Sequence, residues 1–245
     1  MTLESRYTNT RHGTVHYRTM GDGSPLVLLH ATPKSSRSLL NVMPHLATHH
    51  RVIAPDTLGF GESDPLPTPL TIEVLAEAMA DLLNTLGVEP AAVFGLHTGN
   101  KIGTALASRW PELVSRFILC GMTHSIIIDR EAREAAIRAL VSTPFTKKDI
   151  SDDEKCDREQ GGDSIDAIYA ANYGFDLTST LASLSVPTLV LELATPEEDH
   201  LGRQAENLAA QIPNAQAYTF EGSDRDALDQ RPQDLARAIL SFTHT

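Results

Sequence analysis

Ala91-Ala92-Val93-Phe94-Gly95-Leu96-His97-Thr98-Gly99-Asn100-Lys101-Ile102-Gly103 is the stretch on which the reading of this chain turns. Its first six residues form a short apolar run of the kind buried in the middle of a sheet. Gly95 and Gly99 then bracket His97, and a helix is expected to run on to about Arg109, before Pro111 breaks it. A sharp strand-to-helix turn strains its apex residue, and bulky neighbours would clash, so glycine is expected on either side. Gly103, one helical turn later, keeps the same helix face small and lets the helix lie close on the sheet. The apex side chain would sit at a helix N-terminus, where backbone N–H groups favour negative charge. An imidazole placed there is pushed toward its neutral form, which serves as a base or, less often, as a nucleophile. His97 is therefore the first candidate catalytic residue; the alternative is that it only fills space at the turn.

Working outward, apolar runs recur on both sides. Arg6–Thr10 and Thr14–Thr19 read as an edge hairpin, and Pro25–His30 as a central strand buried on both faces. Ser38–His49 looks helical, and Arg51–Ala54 is another short strand. It leads into the glycine-punctuated loop Pro55-Asp56-Thr57-Leu58-Gly59-Phe60-Gly61-Glu62-Ser63-Asp64. Thr71 is placed to cap a helix whose face is Ile72, Leu75, Met79, Leu82, Leu83 and Leu86, with Gly87 as its stop. Phe117–Cys120, Val186–Leu191 and Ala217–Phe220 are the remaining strands. Leu201, Ala205, Leu208 and Ile212 share a helix face, and a closing helix starts near Pro232. Strands alternating with helices imply an α/β protein with a mostly parallel, doubly wound sheet, whose ligands sit beyond the carboxyl ends of the strands.

One segment breaks the alternation. Between Cys120 and Val186 no strand is expected, only polar helical patterning over Asp129–Leu140 and Ser164–Asn172. Residues 1–123 and 185–245 are read as the core and residues 124–184 as a helical cap over the site. A peripheral insertion without substrate contact is the alternative.

The composition is ordinary for a globular chain of 245 residues, with 41% hydrophobic and 21% charged residues. A net charge of -12 argues against a nucleic-acid partner and against an anionic membrane surface. Two cysteines, Cys120 and Cys156, make no disulfide framework or zinc motif. Met1–Gly13 is polar and lacks a signal-peptide core, and no apolar run is long enough to span a bilayer, so a cytoplasmic protein is expected.

In this order and on these elements the chain resembles the α/β-hydrolase superfamily over nearly all its length. Leu28-Leu29-His30-Ala31 stands where that family has a strand-end His-Gly. Asp56 with Gly59-Phe60-Gly61-Glu62-Ser63 matches its D-x-x-G-x-G-x-S loop, and Gly95-Leu96-His97-Thr98-Gly99 its nucleophile elbow, G-x-S-x-G. Val186–Val190 matches the strand before its catalytic acid. The resemblance also exposes departures. His97 occupies the serine position. The acid loop is Thr195-Pro196-Glu197-Glu198-Asp199-His200, where Asp199 is the nearest candidate and Glu192, Glu197 and Glu198 compete with it. The stretch after the last strand, Gly222–Ala227, holds no histidine. Ser-His-Asp catalysis needs that histidine to move the proton, so the ordinary acyl-enzyme route is not expected.

What the resemblance leaves is an oxyanion hole, built from the backbone N–H groups of Thr98 and Thr32. It would serve proton abstraction or water attack on a small carbonyl or ester compound, with His97 as the base and Asp224 or Asp226 to orient it. Arg225 is a candidate for a substrate carboxylate, with a solvated surface arginine as the alternative. His30 and His124 complete the expected substrate-binding set. The Thr98 side chain is expected to cap the helix rather than attack, Cys120 to be packing, and Ser223 has no recognisable base beside it.

Two other classes compete. His30, His97, His124 and His200 each fall near the carboxyl end of an expected strand, and three convergent imidazoles would suit zinc. No pair has the local spacing of a metal motif and the insertion is expected to hold His124 elsewhere, so no metal and no cofactor is expected. The other class is a non-catalytic small-molecule receptor on the same fold.

Overall fold

The computed structural model describes residues 1–88, 90–142, 152–162 and 164–244. The chain runs β1 (Glu4–Thr10), β2 (Gly13–Met20), β3 (Ser24–Leu29), α1 (Met43–Leu46), β4 (His50–Pro55), α2 (Ile72–Leu86), β5 (Ala91–Leu96) and α3 (Thr98–Arg109). It continues through β6 (Val114–Met122), α4 (Arg130–Ser142), α5 (Asp152–Gly161), α6 (Ser164–Gly174), α7 (Leu177–Ala182), β7 (Thr188–Ala194), α8 (Ala205–Ala209), β8 (Ala215–Glu221) and α9 (Pro232–Thr243). The strands form one eight-stranded sheet in the order β1-β2-β4-β3-β5-β6-β7-β8. β2 pairs antiparallel with β1 and β4, and every pair from β4–β3 to β7–β8 is parallel. This is the expected α/β-hydrolase architecture.

Period-two alternation in β3 and β5 explains the layering. Val27, Leu29 and Val93 face a core shared with Leu75, Met79, Leu82, Ile102 and Leu106 of α2 and α3. Leu26, Leu28 and Phe94 face the opposite core, under Met43 of α1 and Ile239 and Phe242 of α9. Both faces of the central strands are covered, which is why they read as unbroken apolar runs. Each such aliphatic side chain contributes roughly 1.5–3 kcal/mol by leaving water. The Thr71 hydroxyl accepts from the Val74 N–H at 3.2 Å, and Gly87 closes α2 with φ 61°, as expected of both.

Two helices differ from their sequence pattern. Ser38–His49 is not one helix but a 3-10 turn, Ser36–Leu39, followed by the four-residue α1. Pro44 lies in the first turn of α1, where its missing N–H is tolerated, but further back it would have cost a helical hydrogen bond. Leu201–Ile212 is likewise broken. Leu201 ends the 3-10 turn Pro196–Leu201, Gly202 takes φ 67°, and only Ala205–Ala209 is α-helical.

No strand lies in the described residues between β6 and β7, and α4 to α7 fill the interval. Part of the interval, 143–151 and 163, lies outside the described residues. α5 and α7 were not foreseen. The insertion is tied to the core by polar contacts. The Ser35 hydroxyl donates to Asp157 of α5 at 2.9 Å, and Arg37 lies 3.6 Å from the same carboxylate. The Asn172 amide of α6 donates to Thr98 Oγ1 at 3.0 Å, and Tyr169 reaches the Thr32 carbonyl at 3.5 Å. Among the described residues no helix is long and apolar enough to cross a membrane.

Candidate active site

The turn from β5 to α3 places His97. Its φ is 51°, the one positive value at a non-glycine among the described residues. Such a conformation costs on the order of 1–3 kcal/mol and persists only where the surroundings impose it. They do so here by close packing. A Cβ on Gly95 would run into the Gly99 carbonyl, and one on Gly99 into the Leu29 carbonyl, so both glycines are required for α3 to approach β3 and β5. The His97 N–H donates to the Cys120 carbonyl at 3.0 Å, and the Asn100 N–H to the His97 carbonyl at 3.1 Å. Asn100 Nδ2 donates to that same Cys120 carbonyl at 2.9 Å, which pins the first turn of α3 to β6.

His124 lies opposite. It sits in the 3-10 turn Thr123–Ser125 that ends β6, the neighbour of β5 in the sheet. The two imidazoles stack with centroids 6.0 Å apart and planes 22° apart. The insertion therefore does not carry His124 away; the residue belongs to the strand end. Behind it, Glu198 is buried and accepts from His124 Nδ1, and the His124 N–H lies 3.4 Å from the other carboxylate oxygen. A carboxylate only accepts, so Nδ1 carries the proton and Nε2 is left with its lone pair.

The acid beside the histidines is thus Glu198, not Asp199. The 3-10 turn Pro196–Leu201 aims Glu198 inward and Asp199 outward, where its largely exposed carboxylate pairs with Arg203 at 3.1 Å. Glu192 is also buried but is spent on structure, accepting from Thr123 Oγ1 at 2.7 Å and from the backbone of Gln204 and Ala205. Glu197, Glu198 and Asp199 are consecutive acids, and only the three-residue period of the turn distinguishes them.

Asp224 lies near His97 and Lys34. Its carboxylate lies 3.2 Å from Lys34 Nζ and accepts from the Arg225 N–H at 2.8 Å. Burial pushes the Asp224 carboxyl up, but Lys34 and the His97 side of the site outweigh that and hold it below its ordinary range. Burial drives the His97 imidazole far below its ordinary value; Asp224 opposes the shift, while His124, Lys101 and Lys34 add to it. His97 is therefore neutral at pH 7, and Lys34 supplies the countercharge for Asp224. Asp226 is taken up by its own loop, accepting from the Ser223 N–H and hydroxyl at 2.8 Å each.

The other expected site residues fall as follows. His30 is buried with both ring nitrogens occupied: Nδ1 donates to the Ala31 carbonyl at 2.9 Å and Nε2 accepts from the Thr57 N–H at 2.9 Å. Burial lowers its pKa, so it is a neutral brace between two loops rather than a substrate contact. Thr98 is the first residue of α3, and its hydroxyl accepts from Asn172 instead of capping the helix. Thr32 follows the end of β3 and is half-buried, with its carbonyl facing Tyr169. Arg225 is exposed. His200 is exposed, with Nδ1 donating to the Glu197 carbonyl at 3.1 Å, so it does not join His97 and His124. Among the described residues no three His, Cys, Asp or Glu side chains are grouped to hold a metal ion.

Two residues of the site were not singled out from sequence. Lys101, one turn into α3, is fully enclosed; burial drives its ammonium down to about 7, and it donates to the Ser125 carbonyl at 3.0 Å. Its place directly after the glycine turn was the available signal. Asn172 was invisible, because its contact with Thr98 bridges 74 positions. Among the described residues, Asn100 Oδ1 and Asn172 Oδ1 are buried without a hydrogen-bond partner.

Comparison with known proteins agrees with the fold. A family model described as the alpha/beta hydrolase fold matches residues 24–138. The chain is 35% identical over 113 residues to a soluble epoxide hydrolase from Corynebacterium sp. (strain C12), covering 46% of this chain and 40% of that protein. It is 39% identical over 105 residues to a 2-hydroxymuconate semialdehyde hydrolase from Pseudomonas sp. (strain CF600), covering 41% and 37%. These matches span about two fifths of each relative's length. Over the whole fold it is similar to the crystal structure of a hydrolase from Pseudomonas aeruginosa PA01, with TM-score 0.76, 23% identity and 98% of each chain covered. Sheet order, strand-to-helix turn and the likeness to solved structures together give the chain the α/β-hydrolase fold, and its part from residue 24 to 138 is similar to the alpha/beta hydrolase family model.

Proposed function

We propose that the chain is a hydrolase-like or lyase-like enzyme acting on a small carbonyl or ester compound, at an atypical site in which His97 stands where the superfamily has its serine. The observation that carries this reading is the stack of His97 on His124, with Glu198 behind it. A strained apex is retained although the residue there is not the usual nucleophile, and strained positions cluster at functional sites.

In this reading the first N–H groups of α3, which have no intrahelical partner, face the substrate oxygen together with the Thr32 N–H. His97, kept neutral by burial and by three neighbouring cations or imidazoles, donates to or orients the carbonyl. His124 acts as the base, because the Glu198 carboxylate holds its Nδ1 and leaves Nε2 free to take a proton. The proton comes from a water attacking the carbonyl or from a carbon beside it. Lys34 with Asp224 holds the electrostatic balance of the opposite wall. Helices α4 to α7 act as a cap, with Asn172 and Tyr169 reaching down to Thr98 and Thr32. The relatives' names, an epoxide hydrolase and a semialdehyde hydrolase, support a small organic electrophile as substrate.

The test is a panel of esters, lactones and carbonyl compounds assayed with the wild-type chain, His97→Ala and His124→Gln. Turnover lost in both variants supports the reading. Turnover unchanged in either one removes that residue from the chemistry. Absence of turnover with tight binding of a panel compound makes the chain a receptor instead.

A further inference from the structure

The outer ribbon carries a second constellation that the elbow does not use. Ser5 Oγ is 2.6 Å from His16 Nε2, and His16 Nδ1 is 2.7 Å from Asp56 Oδ2. Asp56 and His16 are wholly buried, whereas Ser5 is exposed. We propose that Ser5, His16 and Asp56 form a separate nucleophilic site that takes the acyl group from small activated esters.

The connectivity is what the chemistry needs. Asp56 can only accept, so the His16 Nδ1 carries the proton and Nε2 accepts from the Ser5 hydroxyl. Asp56 is locked in place: it also accepts from the Ser36 N–H at 2.7 Å and the Glu62 N–H at 2.9 Å. Burial alone would raise its pKa, but its bonds to His16, Ser36 and Glu62 and the proximity of His30 hold the carboxyl well below the usual range. A permanently ionised, immobile carboxylate behind an imidazole is the orienting part of a serine triad. The front part is set by the sheet register. Ser5 pairs with Arg18 and Tyr7 with His16 across β1 and β2, so all four side chains share one face. Arg18, the cross-strand partner of Ser5, has its guanidinium 3.7 Å from Asp56 and 3.1 Å from Glu62 and also bonds the Ser36 hydroxyl. The groups facing His16 are Asp56, Glu62 at 4.0 Å, and the Tyr7 ring at 5.0 Å.

The step balances within these groups. Ser5 Oγ bonds to the carbonyl carbon while its proton passes to His16 Nε2, and the oxyanion forms beside Arg18. The bond to the leaving oxygen breaks, that oxygen takes the proton from His16, and the acyl group remains on Ser5. Water, deprotonated by His16, then releases the acid and restores the hydroxyl.

The experiment is peptide mapping by mass spectrometry after treatment with a fluorophosphonate, together with the p-nitrophenol burst from p-nitrophenyl acetate. An adduct on Ser5 is expected in the wild-type chain and in His97→Ala, none in Ser5→Ala, and at least tenfold slower labelling in His16→Gln. Because His16 is buried and its variant can fail to fold, Ser5→Cys gives a second readout. Its thiol is expected to react with iodoacetamide at pH 6 at least tenfold faster than an ordinary exposed cysteine. No adduct on Ser5, labelling unaffected by His16→Gln, or ordinary thiol behaviour at position 5 overturns the proposal.

Discussion

His97 and His124 lie face to face, ring centroids 6.0 Å apart, but in different surroundings. His97 is half-buried near Lys101 and Lys34, and its loss of solvent holds it neutral. His124 is backed by the Glu198 carboxylate, which favours a proton on Nδ1 and a lone pair on Nε2. The His97 ring resonance in an NMR titration is therefore expected to stay constant from pH 5 to 8. A midpoint near the ordinary histidine value would place a charge where burial forbids one.

From the same pair follows a kinetic expectation. Once a substrate is in hand, Glu198→Gln removes the carboxylate that stabilises the imidazolium of His124. General-base assistance is worth roughly 100- to 10,000-fold, so kcat should drop by about 100-fold or more, with KM little changed. Asp199→Asn, on the exposed side of the same turn, should leave kcat within about twofold, since surface substitutions rarely exceed about 0.5 kcal/mol. Equal losses in both variants would mean that the turn as a whole, rather than its inward acid, matters.

Lys101 makes stability depend on pH in the alkaline direction. Its folded pKa is about 7 against an ordinary 10.5. Between those values the unfolded chain binds a proton that the folded chain does not, so the contribution to stability rises with pH across that window and is smallest below pH 7. Each pKa unit corresponds to about 1.4 kcal/mol, which makes the whole effect a few kcal/mol. Lys101→Met should flatten this part of the stability profile, read as urea midpoints between pH 6.5 and 9.5. A variant profile parallel to that of the wild-type chain would count against a buried, neutralised lysine.

How much of this was legible depends on which physical signal each element leaves in the chain. β3, β5 and β7 are buried on both faces, so their apolar runs marked them, and Thr71 and Gly87 bounded α2 through local chemistry. The elbow was readable because two backbone approaches exclude any Cβ at Gly95 and Gly99. The segment around Pro44 and Gly202 misled, since an apolar period of 3.6 persists across a break that the backbone imposes. α5, with its polar sequence, offered no period at all. In the candidate site, the positions of His97 at the turn and Asp224 after the last strand are what the sequence offers, and the fold brings both to the same end of the sheet. Glu198 was not separable from its acidic neighbours, because which of three consecutive residues points inward is decided by a single 3-10 turn. The bracing role of His30 leaves no sequence signal, because its two hydrogen bonds come from loops that no local pattern connects.

Asp56 should be among the costliest polar residues to replace. Its carboxylate is buried and joins β2, the Ser36 turn and the glycine loop through His16, Ser36 and Glu62. Asp56→Asn keeps the shape but turns one acceptor into a donor facing N–H groups. Breaking such a buried charged network costs about 3–5 kcal/mol, which a shift in urea midpoint would measure. The sign with pH follows from its lowered pKa: the carboxylate contributes fully above the ordinary aspartate range and progressively less as pH falls toward its folded value. The stability gap between wild type and variant should therefore narrow in acid, and a gap that widens below pH 4 would contradict the assignment.

Gly103 tests whether close approach of α3 to the sheet is needed for the site or only for the fold. A Cβ there would stand 2.5 Å from Phe117 Cε2, a ring edge in the fully buried core rather than backbone. Phe117 can yield only by displacing its neighbours, and overpacking of that kind typically costs about 1–3 kcal/mol. By contrast, a methyl group on Gly99 meets the rigid Leu29 carbonyl, so α3 itself must lift off β3 and carry His97 and Thr98 with it. Gly103→Ala is thus expected to lower the melting temperature while leaving the His97–His124 geometry near its native form. Gly99→Ala is expected to lose the site even in molecules that remain folded, which ring resonances of the two histidines would report. If Gly103→Ala disturbed those resonances as much as Gly99→Ala, the turn could not be the element that independently positions His97.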